Sequence, residues 1–300
     1  MKTHQIVKLC VWSLGIFVLC TSPACAQTDL TSTQLGGEQG QTELILSPDA
    51  IVEELGKADV VYLGETHDNP EDHKAQLEIL QALYQQNRKI AIAMEMFQRP
   101  YQSILDQYLA GNITETELIE QTEYKQRWGF PWEYYAPLLR FAKTNKLPVL
   151  ALNTPTEVTR KVASYGLESL TPEERKYIPP LSEIRTDNVE YRKMIQEIYN
   201  QHHQQGHGNS ISFERFFTAQ VLWDETMADG IAQFMIANPD YQVVVIAGKG
   251  HIVYGYGIPS RVTRRLNNSN LVQRSVLFGV AEEVQPEGEK GIADFFWHHR

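Results

Sequence analysis

Val60-Val61-Tyr62-Leu63-Gly64-Glu65-Thr66-His67-Asp68-Asn69-Pro70 reads as a buried strand that runs straight into acid and base. Residues 60–63 are an unbroken apolar run of β-branched and aromatic side chains, the composition of a strand covered on both faces. Gly64 reads as the end of that strand. Asn69-Pro70-Glu71-Asp72 then opens a helix, with Asn69 as N-cap, Pro70 at the first helical position and two acids in the first turn. Glu65, His67 and Asp68 are therefore expected on a strand-to-helix loop, and in an open α/β sheet such loops lie at the carboxyl edge, where ligands bind. A single polar loop of this kind is equally well explained as a turn with a helix cap. Its weight comes from recurrence along the chain.

The same arrangement returns three times. Residues 89–96 read as a second strand, in which the apolar Ile90-Ala91-Ile92-Ala93-Met94 is followed by Glu95, an acid that either pairs with a cation such as Arg99 or joins Glu65 and His67 in a site. Residues 148–152 form a third strand that leaves through Asn153. A fourth, residues 242–247, runs into Gly248-Lys249-Gly250-His251, where the glycines let backbone approach a ligand beside Lys249 and His251. The spacing is not that of a phosphate-binding P-loop. Strands alternate with helices throughout, so the fold class is α/β, a mostly parallel sheet with helices on both faces. Four polar strand exits then collect on one edge. Their two histidines and two or three carboxylates make either a hard-metal or zinc-type site or a general acid/base pair.

Between the strands, a helix over residues 212–237 carries Phe213, Phe217, Val221, Ala228, Ile231 and Met235 as one stripe, with Asp224 in its middle. An acid on a core face needs a bonded partner or a functional role; Glu225, one residue on, is expected to be more exposed. His73 shares the apolar stripe of the helix after the first strand, where it either covers the end of the core or serves as a ligand. Trp128, Phe130, Trp132, Tyr134 and Tyr135 crowd one segment, as core packing with one or two rings left to line a pocket. Composition changes over residues 166–211, which read as a helical insertion outside the sheet, a lid. His203 and His207, four apart near its end, have metal-ligand spacing if their helix continues; Gly206 and Gly208 favour a solvated cluster instead.

Composition sets the outer bounds. The chain is 42% hydrophobic and 21% charged, ordinary for a soluble globular protein. Lys2 and Lys8, a compact apolar run and Ala24-Cys25-Ala26 make residues 1–26 a signal peptide, followed by a disordered tether at 27–43 and an α/β domain at 44–300. The protein is therefore expected to be exported, periplasmic or extracellular. All three cysteines, Cys10, Cys20 and Cys25, lie in that leader, which leaves the mature chain without disulfides or thiolate ligands. In the alternative reading Cys25 is the acylated first residue and the one lipid anchor to a membrane, although Ser22-Pro23-Ala24 departs from the usual lipobox. Loss of the leader removes two lysines and no acids and moves the formal charge from −10 to −12, which argues against nucleic acid as a partner.

Gly64-Glu65-Thr66-His67, Glu95-Met96-Phe97, Trp223-Asp224-Glu225-Thr226-Met227-Ala228, and Gly248-Lys249-Gly250-His251 with Gly255-Tyr256-Gly257-Ile258-Pro259-Ser260-Arg261 together resemble the ChaN family of haem-binding proteins. That family is similar to a wider group with Tiki proteases, TraB-like proteins and erythromycin esterases. The ChaN side of the resemblance implies haem binding for iron uptake, a tyrosine ligand to the iron, and a homodimer that closes around the haem with a histidine from the partner subunit. Candidate axial ligands outside the central crevice are Tyr254, Tyr256, Tyr199, His203 and His207; the flat porphyrin needs an apolar surface, from residues 128–135 or the insertion, and its propionates need Arg or His donors. The Tiki and esterase side implies a metal-dependent hydrolase, with a divalent ion of Zn, Mn or Fe type held by His67, Glu95 and His251 and with Glu65 as base.

Overall fold

The computed structural model describes residues 46–204, 211–279 and 291–298. The expected leader, the tether, Cys25 and His207 lie outside the described residues. In chain order the elements are α1 (Pro48–Leu55), β1 (Val60–Glu65), α2 (Pro70–Gln86), β2 (Ile90–Gln98), α3 (Gln102–Leu109), α4 (Glu115–Gln121), α5 (Tyr124–Arg127), α6 (Trp132–Asn145) and β3 (Val149–Asn153). They continue with α7 (Thr156–Tyr165), α8 (Val189–Gln204), α9 (Phe213–Ala237), β4 (Gln242–Gly248), α10 (Ile258–Leu266), β5 (Gln273–Phe278) and β6 (Phe295–Trp297). All strand pairs are parallel, in the order β3-β2-β4-β1-β5-β6. The α/β fold with its helical insertion is the one expected.

The alternation of side chains along a strand divides the interior into two cores. Val61 and Leu63 of β1, Ile90, Ile92 and Met94 of β2, and Val244 and Ile246 of β4 face α1, α2 and α6. Val60 and Tyr62, Ala91 and Ala93, and Val243, Val245 and Ala247 face Met227, Ala228 and Ile231 of α9 and Val262 of α10. The helix starts follow the sequence signals. Ser47 caps α1, Asn69 caps α2 with its side chain on the Glu71 N–H, and Thr114 with Glu117 forms the capping box of α4.

Two boundaries differ from expectation. Gly64 does not end β1; it pairs with Ala247 and Leu277, and Glu65 is the last strand residue. A Cβ at Gly64 would lie 2.6 Å from Leu277 Cδ2, so the glycine is there for close packing rather than for a turn. β2 runs two residues past the expected Met96 to Gln98, with its register against β3 shifting between Met94 and Gln98. The C-terminal Phe295–Trp297 docks as a sixth strand on β5.

The insertion is fastened along α9. Tyr191 and Ile195 of α8 pack on Phe217 and Val221, while Leu170 and Ile178 join Val158, Val162 and Leu222. Among the described residues no helix is long and apolar enough to cross a membrane.

Candidate functional site

Glu65 ends β1 on the α2/α6 side, 1% exposed, and both of its carboxylate oxygens are occupied. Oε1 accepts from the Tyr135 hydroxyl and from His67 Nδ1 at 2.8 Å; Oε2 accepts from Gln76 Nε2 at 2.7 Å. Neither nitrogen of His73 is turned to a ligand, since Nε2 lies 3.0 Å from the His67 carbonyl and Nδ1 3.2 Å from Gln76 Oε1. His73 thus fixes the turn that carries His67. The His67 ring packs edge-on against Trp128 and tilted against Phe130, with centroids 4.9 and 5.1 Å away. Burial alone would lower the His67 pKa, but its bond to Glu65 and the charges of Glu95 and Glu65 outweigh burial and raise it.

A second histidine–carboxylate pair forms on the α9 side. His251 Nδ1 lies 2.6 Å from Asp224 Oδ1, and His251 Nε2 lies 3.5 Å from Glu95 Oε1. Asp224 is fully buried, as its stripe on α9 requires. Gly248 N–H donates to Glu95 Oε2 at 2.8 Å, and Asn153 Nδ2 donates to the Glu95 carbonyl. Burial opposes both charges of the Glu95–His251 pair, yet their attraction wins: the Glu95 carboxyl is lowered to about 2 and His251 is raised to about 10. Glu95 therefore pairs with His251, while Arg99 pairs with Asp229 at 2.9 Å. Glu65, His67, Glu95 and His251 do share one edge, as two His–carboxylate pairs from opposite faces of the sheet with Glu95 between them.

Gly248 makes that meeting sterically feasible. A Cβ there would stand 2.7 Å from His67 Nε2 and 2.8 Å from Cε1. Gly248→Ala is expected to push the imidazole off Trp128 and Phe130 and to cost about 1 to 3 kcal/mol. Thermal unfolding checks this, and an unchanged midpoint would mean that the His67 ring moves at no cost.

The other expected residues fall out as follows. Lys249 is half-buried at the exit of β4. Tyr254 and Tyr256, a few residues beyond His251, are half-buried and stacked with centroids 5.4 Å apart; Tyr254 has φ 55° and its N–H donates to the Ile292 carbonyl. The Tyr199 hydroxyl donates to the Ile211 carbonyl, which ties α8 to the start of α9. His203 lies on α8, which is described as far as Gln204. Glu225 is not exposed: it is fully buried, with Oε2 accepting from Arg264 at 2.5 Å and Arg265 at 2.8 Å. The insertion and α10 cover a helix face that a stripe on α9 alone leaves open. Most of the aromatic segment is core, as Tyr124, Trp128 and Tyr135 are buried and Phe130, Trp132 and Tyr134 are half-buried.

Sequence reasoning missed Gln76, Tyr135, Tyr191 and Gln220. Gln76 and Gln220 carry a readable signal, each being a polar residue on the buried face of its helix. Tyr135 was visible only as one ring among several, and nothing in the sequence points Tyr191 at α9.

A sequence profile described as haem-binding uptake, Tiki superfamily, ChaN, matches residues 51–262. The chain belongs to this family. The solved structure of ChaN of Campylobacter jejuni, described as showing cofacial haem binding, has the same fold, with TM-score 0.61 and 21% identity over 84% of this chain and 91% of that one. An erythromycin esterase mutant in its open conformation is similar at TM-score 0.44 and 15% identity, over 76% of this chain and 72% of that one. Among curated proteins, the chloroplastic Protein RETICULATA-RELATED 5 of Arabidopsis thaliana is 29% identical over 268 residues, 82% of this chain. The match spans 35% of that protein's length.

The divalent metal implied by the hydrolase side of the resemblance does not fit the side chains as they stand. A histidine ligand must offer a nitrogen lone pair, and the charges of Glu95 and Asp224 raise the His251 pKa, which favours the protonated ring that has none to offer. Among the described residues no three His, Cys, Asp or Glu groups are placed to hold a metal ion.

Proposed function

We propose that this protein binds haem and handles it outside the cytoplasm in iron uptake, with the edge at His251, Tyr254 and Tyr256 as the haem-facing site. The observation that carries the reading is the stacked, half-buried tyrosine pair, set a few residues beyond the His251–Asp224 pair in a chain of the haem-binding uptake family. A phenolate is a competent axial ligand for ferric haem, while His67, His73 and His251 each already have a ring nitrogen held by a carboxylate or a carbonyl. Tyr254 has the left-handed backbone conformation rare for a tyrosine, held by its N–H bond to Ile292. Strain of this kind gathers at ligand sites. Phe130, the half-buried ring beside His67, supplies apolar surface on the same edge.

Cofacial haem binding in the Campylobacter jejuni relative supports a homodimer closing around the pigment. The leader pattern at residues 1–26 supports export, with Cys25 as the lipid anchor in its alternative form. Haem would supply an iron centre, which a phenol oxygen of Tyr254 or Tyr256 would hold while Phe130 would line the apolar wall.

The test is haemin titration of the purified chain, followed by its Soret band. Tyr254→Phe and Tyr256→Phe each remove the phenol and keep the ring; one of the two is expected to shift the band and weaken haem by on the order of tenfold or more. A band that both substitutions leave unmoved removes the tyrosine pair as ligand. A chain that takes up no haem removes the reading itself.

A further inference from the structure

We propose that Tyr191, carried by the helical insertion, is a positioning residue for His251: its hydroxyl holds Asp224, and Asp224 holds the imidazole. The carboxylate of Asp224 is gripped at both oxygens from two different elements. Oδ1 accepts from His251 Nδ1 at 2.6 Å, and Oδ2 accepts from the Tyr191 hydroxyl. One bond fixes where the carboxylate sits, and the second fixes its rotation, a torsion with broad wells of its own. Gln220 completes the arrangement by donating from Nε2 to the Tyr191 oxygen at 3.3 Å. The phenol oxygen is thus an acceptor for Gln220, which leaves its proton to point at Asp224.

Packing alone does not ask for this hydroxyl. Tyr191 is fully buried among Ile195, Phe217 and Val221, where a phenylalanine ring would fill the same space without a polar group to satisfy. The hydroxyl's partners all belong to the His251 arm. The same ring lies under the Arg261 guanidinium, 5.2 Å from its centroid, and Arg261 Nη1 donates to the carbonyls of Tyr256 and Gly257. Tyr256 packs against the cluster that contains Tyr191. Docking of the insertion therefore sets the direction of the His251 ring and the seat of Tyr256 together, and a segment expected as a lid is the rear wall of the site.

The inference deepens the haem reading, on which the consequence for Tyr256 rests. Its claim about His251 is read on the full chain without haem, so the two fail separately. With histidine labelled by nitrogen-15, the ring N–H of His251 held by Asp224 is expected as a downfield, slowly exchanging proton signal. In Tyr191→Phe its solvent exchange should quicken on the order of tenfold, the scale of one lost hydrogen bond, while the His67 signal held by Glu65 stays put. Unchanged exchange at His251 in a folded Tyr191→Phe protein overturns the proposal, and so does an equal quickening at His67, which would mark general loosening. If Tyr191→Phe does not fold, 3-fluorotyrosine placed at position 191 keeps the shape and makes the hydroxyl a stronger donor. A His251 signal that moves then supports the proposal, and one that stays overturns it.

Discussion

Glu225→Gln is expected to lower the thermal midpoint by roughly 10 °C. Glu225 has no solvent exposure, and three arginines of α10 converge on it: Arg264 and Arg265 bond Oε2, while Arg261 Nε lies 3.3 Å from Oε1. Oε1 also accepts from the backbone N–H of Arg185, in the insertion. Glutamine keeps the shape but removes the charge and turns an NH2 group toward guanidinium donors. Arg261 is itself almost fully buried and would be left as a poorly compensated charge, a loss of about 3 to 5 kcal/mol, whereas Arg265 keeps its ion pair with Glu183. Asp229 lies 3.4 Å from Arg265 and cannot replace the lost carboxylate, because its other oxygen is bound to Arg99. Thermal unfolding by circular dichroism reads the result. A midpoint shift within about 2 °C would mean that water reaches these arginines, and the cluster would then be a surface network of little worth.

Glu225 also marks where the sequence stops being legible. The stripe on α9 correctly buries Asp224, because 3.6-residue periodicity reports the face turned to the sheet. Glu225 lies about 100° further round, a position that is solvent in a two-layer element and interior only because the insertion and α10 close over it. No local pattern announces a third layer. The strand exits were readable for a related reason: apolar runs ending in Glu65, Glu95 and His251 carry their own signal, and parallel topology puts strand exits on one edge. Their exact ends were not, since Gly64 looks the same in sequence whether it breaks a strand or makes room for Leu277. β6 is three residues long and forms only because β5 presents an open edge. Residues that act through another residue, such as Tyr135 on Glu65 and Tyr191 on Asp224, depend on contacts across 70 and 33 positions and leave no trace in spacing.

The stabilisation that Glu95 gives the chain is expected to be greatest between about pH 4.5 and 6.5 and to fade on both sides. The Glu95 pKa drops from 4.5 to about 2 in the folded protein, so its contribution is present above pH 4.5 and is lost as pH falls through about 2. The His251 pKa rises from 6.5 to about 10, so the contribution of its charge is full below pH 6.5 and is lost as pH rises through about 10. The Glu95 shift alone corresponds to about 3 kcal/mol, and most of that is the same attraction seen from the His251 side, so the two are not added. Many other carboxylates titrate in the acid limb, and the clean observable is the stability gap between the natural chain and Glu95→Gln. That gap should be about 3 kcal/mol near pH 5.5, should close as pH falls toward 2, and should narrow again toward pH 10. On the alkaline side part of the His251 stabilisation survives in the variant, because Asp224 still holds Nδ1. Urea unfolding of both proteins at about pH 3, 5.5 and 9 measures it. A gap of constant size across that range would show that Glu95 acts through packing and its Gly248 bond rather than through charge, and the ionic description of the Glu95–His251 pair would fall with it.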